Sequence, residues 1–480
     1  MTTKITVIGS GSGGHTAAIR AAQLGAEVTL IEEKEVGGVC LNRGCIPTKA
    51  LIASTSLIDK FRSASDFGVT IKGEIQPDLK KMQARKEKIV TASRKALSDL
   101  LERQRITLVN GKAIISGPGK VQVNCSDGKE KQISWDKLIL STGSGPAMIP
   151  GFSFGGSNIL TSDEALKLED IPDSILIVGA GAIGCEWAFI FSSLGSRVTL
   201  VEAMSRILPL PGVDEMCSTV LAREMKKKGI NLLLNHTVQE GRLEKGILNV
   251  TLGPRESKEG RIPNGRSAIN QEAEKMLVCI GRKPNTTGLG LENVKIETDK
   301  YGWIRVDKKM ETSVQGIYTI GDALGPEKIM LAHAAMAEGR VAAENALGFE
   351  RTMDYSSVPG AIFTSPPVAD VGMTETEALQ KGWRVQAETC LFRSLGKAQA
   401  DGKTAGQAKV VFDRKNRRLL GLHLIGPQSP ELIGEGVLAL NNACTVEDLA
   451  ETVHPHPTLN EIISEVSRKA LYTETTKVTN

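Results

Sequence analysis

Two stretches of this chain spell one pattern twice. Lys4-Ile5-Thr6-Val7-Ile8 runs into Gly9-Ser10-Gly11-Ser12-Gly13-Gly14, a small-residue helix, and Val28-Thr29-Leu30-Ile31-Glu32. Ser174-Ile175-Leu176-Ile177-Val178 runs into Gly179-Ala180-Gly181-Ala182-Ile183-Gly184, a helix, and Val198-Thr199-Leu200-Val201-Glu202. In both copies the acid stands 23 residues after the first glycine. Each copy is strand, G-x-G-x-x-G, helix, strand, acid, which is a dinucleotide-binding βαβ unit. Gly9, Gly11 and Gly14, like Gly179, Gly181 and Gly184, permit a tight turn and the close approach of a pyrophosphate, whose charge the helix N-terminus stabilises. Glu32 and Glu202 would accept adenosine ribose hydroxyls. One glycine pattern alone is a weak signal. Two, each with both strands and the acid in step, leave plain glycine turns a poor alternative. The pattern requires parallel sheets covered by helices, an α/β fold. No arginine stands beside Glu202 to hold a 2′-phosphate, the nearest cation being Arg206, so the second unit reads as a site for NAD rather than NADP.

A chain of 480 residues has room for roughly two to four domains. Its 59 basic and 55 acidic residues leave a net charge of +4, with no basic block, which argues against a nucleic-acid partner. Met1-Thr2-Thr3-Lys4-Ile5 goes straight into a strand and leaves no space for a signal peptide. Six of the eight cysteines (Cys125, Cys185, Cys217, Cys279, Cys390, Cys444) have no reactive setting, which suits a reducing, cytoplasmic compartment. Ile175–Leu194 is apolar enough to suggest a membrane span, but it carries Glu186 and the nucleotide glycines. No membrane span is expected, and no metal site.

The other two cysteines lie just after the first unit, in Gly37-Gly38-Val39-Cys40-Leu41-Asn42-Arg43-Gly44-Cys45-Ile46-Pro47-Thr48-Lys49. Their Cα atoms would be roughly 17 Å apart in extended chain and about 7.5 Å along a regular helix. A disulfide needs about 4.4–6.8 Å. A Cys40–Cys45 bond therefore requires a tightened or distorted turn, and strain of that kind eases reduction. Pro47 suits the first turn of a helix through Thr48–Ile52. Cys45 then sits near a helix N-terminus with Lys49 close by, and both influences favour a thiolate. The bland alternative, two buried cysteines, ignores the adjoining nucleotide loop. The pair is a redox candidate.

Elsewhere the patterns are plainer. Gln83–Arg105 reads as an amphipathic helix with a solvated charged face. Strands are expected at Ile106–Val109, Lys120–Val123 and Leu138–Leu140, the last ending in Ser141-Thr142-Gly143. Met276-Leu277-Val278-Cys279-Ile280-Gly281-Arg282 mirrors that ending in the second unit, after a polar loop insert from Gly253 to Gln271. Gly316–Asp322 reads as a strand closing on a turn acid. Beyond about Arg351, Ala408–Phe412 and Leu419–Ile425 flank a turn and form a hairpin, followed by helices from Ser429 and from Thr458.

Together these features resemble the pyridine nucleotide–disulfide oxidoreductase family, over essentially the whole chain. The most specific parts are Gly37–Lys49, Thr319–Asp322 with Leu331-Ala332-His333, and His454-Pro455-His456-Pro457-Thr458-Leu459-Asn460-Glu461. The resemblance implies two Rossmann-like dinucleotide-binding domains and a C-terminal α+β dimerisation domain. It divides the chain into an FAD-binding part (1–147), an NAD-binding domain (148–280), a return to the FAD-binding part (281–350) and the dimerisation domain (351–480). By that likeness Gly9, Gly11, Gly14 and Glu32 hold the FAD adenosine and pyrophosphate. Asp322 takes the ribityl chain, Ala332 the flavin edge, and Thr142 and Gly143 line the cofactor. Lys49 and Glu186 pair beside the flavin on the nicotinamide side, while Gly179, Gly181, Gly184, Glu202 and Gly281 serve NAD.

The implied activity is FAD-dependent oxidation of protein-bound dihydrolipoamide by NAD⁺. Cys40 is then the thiol that exchanges with substrate, Cys45 the one beside the flavin, and His456 the base oriented by Glu461. The lipoyl group would arrive on a carrier protein of a 2-oxo acid dehydrogenase or glycine cleavage complex. The family forms homodimers in which this histidine faces the other subunit's disulfide. The residues alone read Thr458–Glu461 as a capping box, so Glu461 has two candidate roles. His454 and His333 are expected to be structural. The chain departs from the family's common pattern at His15, at Ser141, at Pro367 after Pro366, and at a small expansion, Leu210-Pro211-Gly212. Alternatives are an NAD(P)H-dependent reductase of another disulfide or of mercuric ion, and a catalytically silent redox-sensing flavoprotein.

Overall fold

The computed structural model describes residues 2–149, 158–255 and 268–475. The two repeats form two sheets of matching order. In the first, parallel strands run Ile317–Thr319, Lys137–Leu140, Lys4–Ile8, Glu27–Glu32 and Thr107–Gly117, and an antiparallel extension continues through Lys120–Cys125 and Glu130–Ser134. In the second, five parallel strands run Ile159–Leu160, Lys275–Val278, Ser174–Val178, Arg197–Glu202 and Asn231–Leu234. An antiparallel trio, His236–Glu244, Ile247–Pro254 and Ile269–Ala273, corresponds to the first sheet's extension. The central strands are covered on both faces, which is why they read as unbroken apolar runs. Ile5, Val7, Leu30, Leu138 and Ile139 are buried, as are Leu176, Ile177 and Leu200.

The first sheet takes its outer strand, Ile317–Thr319, from beyond the second unit. The chain passes between the units at a two-stranded ribbon, Ser144–Pro146 against Arg282–Pro284. The helix Ser12–Gln23 packs against Ala332–Ala346 through Ala17, Ala18, Ala21, Ala342 and Ala343, all fully buried. Small residues let these helices approach closely. A methyl group on Gly339 would stand 3.2 Å from the Ala17 nitrogen.

The last unit is a five-stranded antiparallel sheet, Gly360–Ile362, Val368–Gly372, Leu419–Ile425, Gln407–Asp413 and Val385–Leu391. The hairpin Gln407–Ile425 contains the expected turn, and helices Ser429–Asn441 and Glu461–Thr475 cover one face. The final helix opens at Glu461, three residues later than the sequence pattern suggests.

The amphipathic helix spans Leu79–Arg103, with Asp78 accepting a hydrogen bond from the Lys81 N–H. Its polar residues are not all solvated. Lys86 is 4% exposed, donates to the Leu166 carbonyl at 2.6 Å and pairs with Glu87 at 2.8 Å. Ile175–Leu194 divides into a strand and the 13-residue helix Ala182–Leu194. Among the described residues no helix is long and apolar enough to cross a membrane. Of the polar insert Gly253–Gln271, residues 256–267 lie outside the described residues; the flanking strands pair antiparallel.

Candidate active site and nucleotide cavity

A cavity of about 2350 Å³ runs between the two nucleotide-binding units. The glycine turns shape its two ends identically. The Gly9 N–H donates to the Ile31 carbonyl and the Gly179 N–H to the Val201 carbonyl, each at 2.8 Å. Gly9 and Gly179 have φ values of +97° and +100°, the left-handed region where a side chain is strained. A methyl group on Gly14 or Gly184 would collide with the carbonyl of Gly9 or Gly179, whereas one on Gly11 or Gly181 would meet nothing within 4 Å. The third glycine thus serves close helix–strand packing, and the second faces open space. Both acids are buried and brace their own turns. Glu32 accepts from the Ser10 N–H at 2.8 Å and the Lys34 N–H at 2.9 Å. Glu202 accepts from the Ala180 N–H at 2.7 Å and the Met204 N–H at 2.8 Å.

The cysteines sit on consecutive short helices. Gly38–Arg43 carries Cys40, Gly44 breaks the helix with φ −142° and ψ −111°, and Cys45 opens Cys45–Arg62. Gly44 thus interrupts regular helix between the two cysteines. Both cysteines are free thiols, and each shifts the ionisation of the other. The hydrogen bond from Cys45 lowers the Cys40 thiol to about 7, against burial, with help from the Ser12 hydroxyl and the Lys49 charge. Cys45 moves the other way. Its hydrogen bond to Cys40 and its burial raise it, and the pull of Lys49 is smaller. Helix position and Lys49 favour a Cys45 thiolate from sequence; in the reduced pair the Cys40 sulfur and burial act against it, while the same neighbour lowers Cys40.

An alkylation experiment separates these assignments. Iodoacetamide applied to the reduced holoprotein is expected to label Cys40 first, at a rate that rises with pH and levels off above about 7. Peptide mapping that finds Cys45 labelled first would reverse the assignment.

Lys49 and Glu186 meet across the two units. The ammonium contacts both carboxylate oxygens at 2.8 and 2.9 Å, and Glu186 is buried. The Phe363 N–H donates to Glu186 at 2.9 Å, and the Lys49 ammonium lies 4.4 Å from the Phe363 ring centre. Asp322 accepts from the Ser144 hydroxyl at 2.6 Å and pairs with Arg282 at 3.3 Å, while Arg282 also donates to the Ser144 carbonyl at 2.7 Å. Thr142, Gly143, Gly281, Asp322 and Ala332 line the same cavity. Sequence reasoning missed Phe363, Ser144, Arg282 and Ser12. Only Arg282 carried a signal, as the neighbour of Gly281.

His456 and Glu461 do not line this cavity. The His456 side chain is 76% exposed, with Nδ1 2.8 Å from Glu461 Oε1. The other Glu461 oxygen accepts the Thr458 N–H at 2.9 Å. Glu461 therefore caps and orients at once. The hydrogen bond to His456 is the main cause holding its carboxyl below the usual range. Thr458 does not complete a capping box, since its hydroxyl donates to the Pro455 carbonyl at 2.8 Å. His454 lies outside the cavity and meets Glu435 at 3.1 Å, whereas His333 lines the cavity with its Nε2 2.7 Å from the Pro359 carbonyl.

Residues 3–339 match the pyridine nucleotide-disulphide oxidoreductase family, and residues 358–467 match that family's dimerisation domain. The chain belongs to this family. Among characterised relatives of this oxidoreductase is dihydrolipoyl dehydrogenase of Thermus scotoductus, 39% identical over 99% of each chain. The dihydrolipoyl dehydrogenase of Bacillus subtilis is 38% identical over 97% of each. The crystal structure of LpdA from Mycobacterium tuberculosis superposes with a TM-score of 0.88 and 28% identity, over 98% of this chain and all of that one.

The oxidoreductase's own residues fit FAD at the first unit. The Thr142 hydroxyl is buried with no partner among the described residues, which a bound cofactor would satisfy. The turn at Gly11 is open where a pyrophosphate would approach, and the N-terminus of Ser12–Gln23 points its N–H groups there. Gly181 and the N-terminus of Ala182–Leu194 offer the nicotinamide nucleotide the same features.

Proposed function

We propose that this oxidoreductase is a dihydrolipoyl dehydrogenase, oxidising the dithiol of protein-bound dihydrolipoamide with NAD⁺ as final acceptor. The observation that carries this reading is the Cys40–Cys45 pair lying in one cavity with both glycine turns and the Lys49–Glu186 bridge. With the pair oxidised, a substrate thiolate attacks the Cys40 sulfur and Cys45 leaves as a thiolate. The second substrate thiolate then attacks the first substrate sulfur, closing the lipoyl disulfide and releasing Cys40. The cysteine pair is left with two more electrons. FAD, when bound, supplies the means to pass that electron pair to NAD⁺ as a hydride. Lys49 lowers the cost of each thiolate by its charge, and Glu186 fixes its direction. A base must take the substrate thiol protons. His456 of the partner subunit is assigned this role, with its Nδ1 held by Glu461 so that Nε2 receives the proton.

The family's dimerisation domain places two copies together. Carriers of 2-oxo acid dehydrogenase or glycine cleavage complexes are the proposed bearers of the lipoyl group. Eight free thiols support a reducing, cytoplasmic setting.

Glu202 sets the nucleotide preference. Arg206 is turned away, donating to the Ser218 hydroxyl at 2.6 Å and the Val213 carbonyl at 3.2 Å. Arg255, which the sequence reading did not consider, contacts the Met204 sulfur. Expected results are NADH formation from dihydrolipoamide, with NAD⁺ favoured over NADP⁺ by about 100-fold in kcat/KM, about 3 kcal/mol. Glu202→Ser should narrow that gap at least about tenfold, since the carboxylate that repels a 2′-phosphate would be gone. Turnover confined to NADPH with other disulfides or Hg²⁺ would overturn the substrate reading.

A further inference from the structure

The cavity does not end at the cysteines. It continues to the joint between the second nucleotide-binding unit and the C-terminal sheet, where Leu210, Pro211, Gly212, Gly360, Asp370 and Met373 line it. One departure noted in the sequence, Leu210-Pro211-Gly212, lies here, with Gly212 against Asp370 of the strand Val368–Gly372. Asp370 is 8% exposed. Its carboxylate has neither a hydrogen bond nor an ion pair among the described residues. It lies between two glycine backbones, so that a methyl group on Gly212 would stand 3.2 Å from Oδ1 and one on Gly360 2.5 Å from Oδ2. A buried carboxylate without a donor is costly, and this one opens onto the cavity.

The neighbouring charges leave Asp370 without a cation. Asp370, His423 and Lys409 form a row across three strands, facing the helix Glu215–Lys227. Lys409 is shared between Asp214 at 3.0 Å and Glu375 at 2.7 Å. His423 is fully buried, which favours its neutral form, and its Nε2 meets the Met373 carbonyl at 3.1 Å. Glu377 adds negative charge nearby, and the buried Cys217 thiol is pushed up by burial and by Asp370 itself. Lys381 and Arg418 line the outer part of the cavity and are exposed. Burial first, then Glu377, raises the Asp370 carboxyl to about 7.

We propose that Asp370 anchors a binding site for a small organic ammonium ion, a protonated primary amine on a short hydrocarbon body. The unpartnered carboxylate receives the ammonium, and Leu210, Pro211, Met373 and Leu440 enclose the hydrocarbon. A metal ion fits less well. Calcium or magnesium takes about six oxygen ligands, and among the described residues no three metal-binding side chains come together. An anion would meet the carboxylate head-on. The site is independent of the dehydrogenase reading, which uses none of these residues.

The test is calorimetric titration of the FAD-loaded protein with n-butylammonium chloride, with n-butanol as the neutral control and ionic strength held constant. Saturable binding at about pH 8 is expected. It should be about tenfold weaker at about pH 6, because a proton competes for Asp370. Asp370→Asn should weaken it at least tenfold, with flavin absorbance and thermal melting reporting that the variant is folded. Butanol binding as tightly as butylammonium, or equal affinity in Asp370→Asn, overturns the proposal. The pH series needs no variant: affinity that is flat from about pH 8 to pH 6 overturns it too.

Discussion

Cys45→Ala is expected to lower dihydrolipoamide-driven NAD⁺ reduction by at least about 10⁴-fold, the scale of removing a group that makes and breaks covalent bonds. One remaining thiol cannot form the disulfide that takes the substrate's two electrons, so no exchange with the dithiol can begin. The variant should keep its FAD, because Cys45 braces neither Gly9 nor Glu32. It should also change its neighbour. The Cys45 hydrogen bond is the largest cause lowering the Cys40 thiol, so its loss should move the pH midpoint of Cys40 alkylation above 7. The sign follows from which form is stabilised: Cys45 donates to the Cys40 thiolate, and without that donor the thiol form gains. Stopped-flow turnover and alkylation rates measure the two effects separately. A midpoint that stays put would mean that Lys49 and Ser12, not the partner thiol, hold the thiolate.

His456→Gln is expected to cost about 10²–10⁴-fold in kcat/KM, the usual range for a general acid–base group. Glutamine keeps a hydrogen-bonding contact to Glu461 but cannot take the substrate proton, so the loss should fall on turnover while FAD content and thermal stability hold. A merely structural His456 would give lower stability with turnover per folded enzyme unchanged. His456 is largely exposed and outside the cavity, which is what a residue completing the neighbouring subunit's site requires. Subunits carrying Cys45→Ser mixed with subunits carrying His456→Gln should form heterodimers with one intact site. A purified heterodimer should then regain about half of wild-type activity. No regained activity would overturn the shared site, in which His456 serves the other subunit's disulfide.

The duplicated glycine turns and their acids were readable because their contacts are local. Ser10 and Glu32, or Ala180 and Glu202, are joined across 22 positions within one βαβ unit, and the unit's geometry ties each acid to its turn. The cysteine spacing was informative for the same reason, since five steps of chain limit where two sulfurs can stand. Glu461 was only half legible. Its spacing from Thr458 gave the cap, but the ring it orients depends on the path of the loop before the helix.

Sequence alone therefore determined the two nucleotide units, the thiol pair and the family resemblance, all of which rest on short-range backbone geometry. Tertiary structure decided how strongly burial and the neighbouring sulfur act on each thiol. It also joined Lys49 to Glu186 across 137 positions and Ser144 to Asp322 across 178, buried Lys86, and left Asp370 without a partner among the described residues. Those outcomes depend on how much water each group loses and which charges pack beside it. Both quantities arise only when distant segments are brought together, so no local pattern in the chain encodes them.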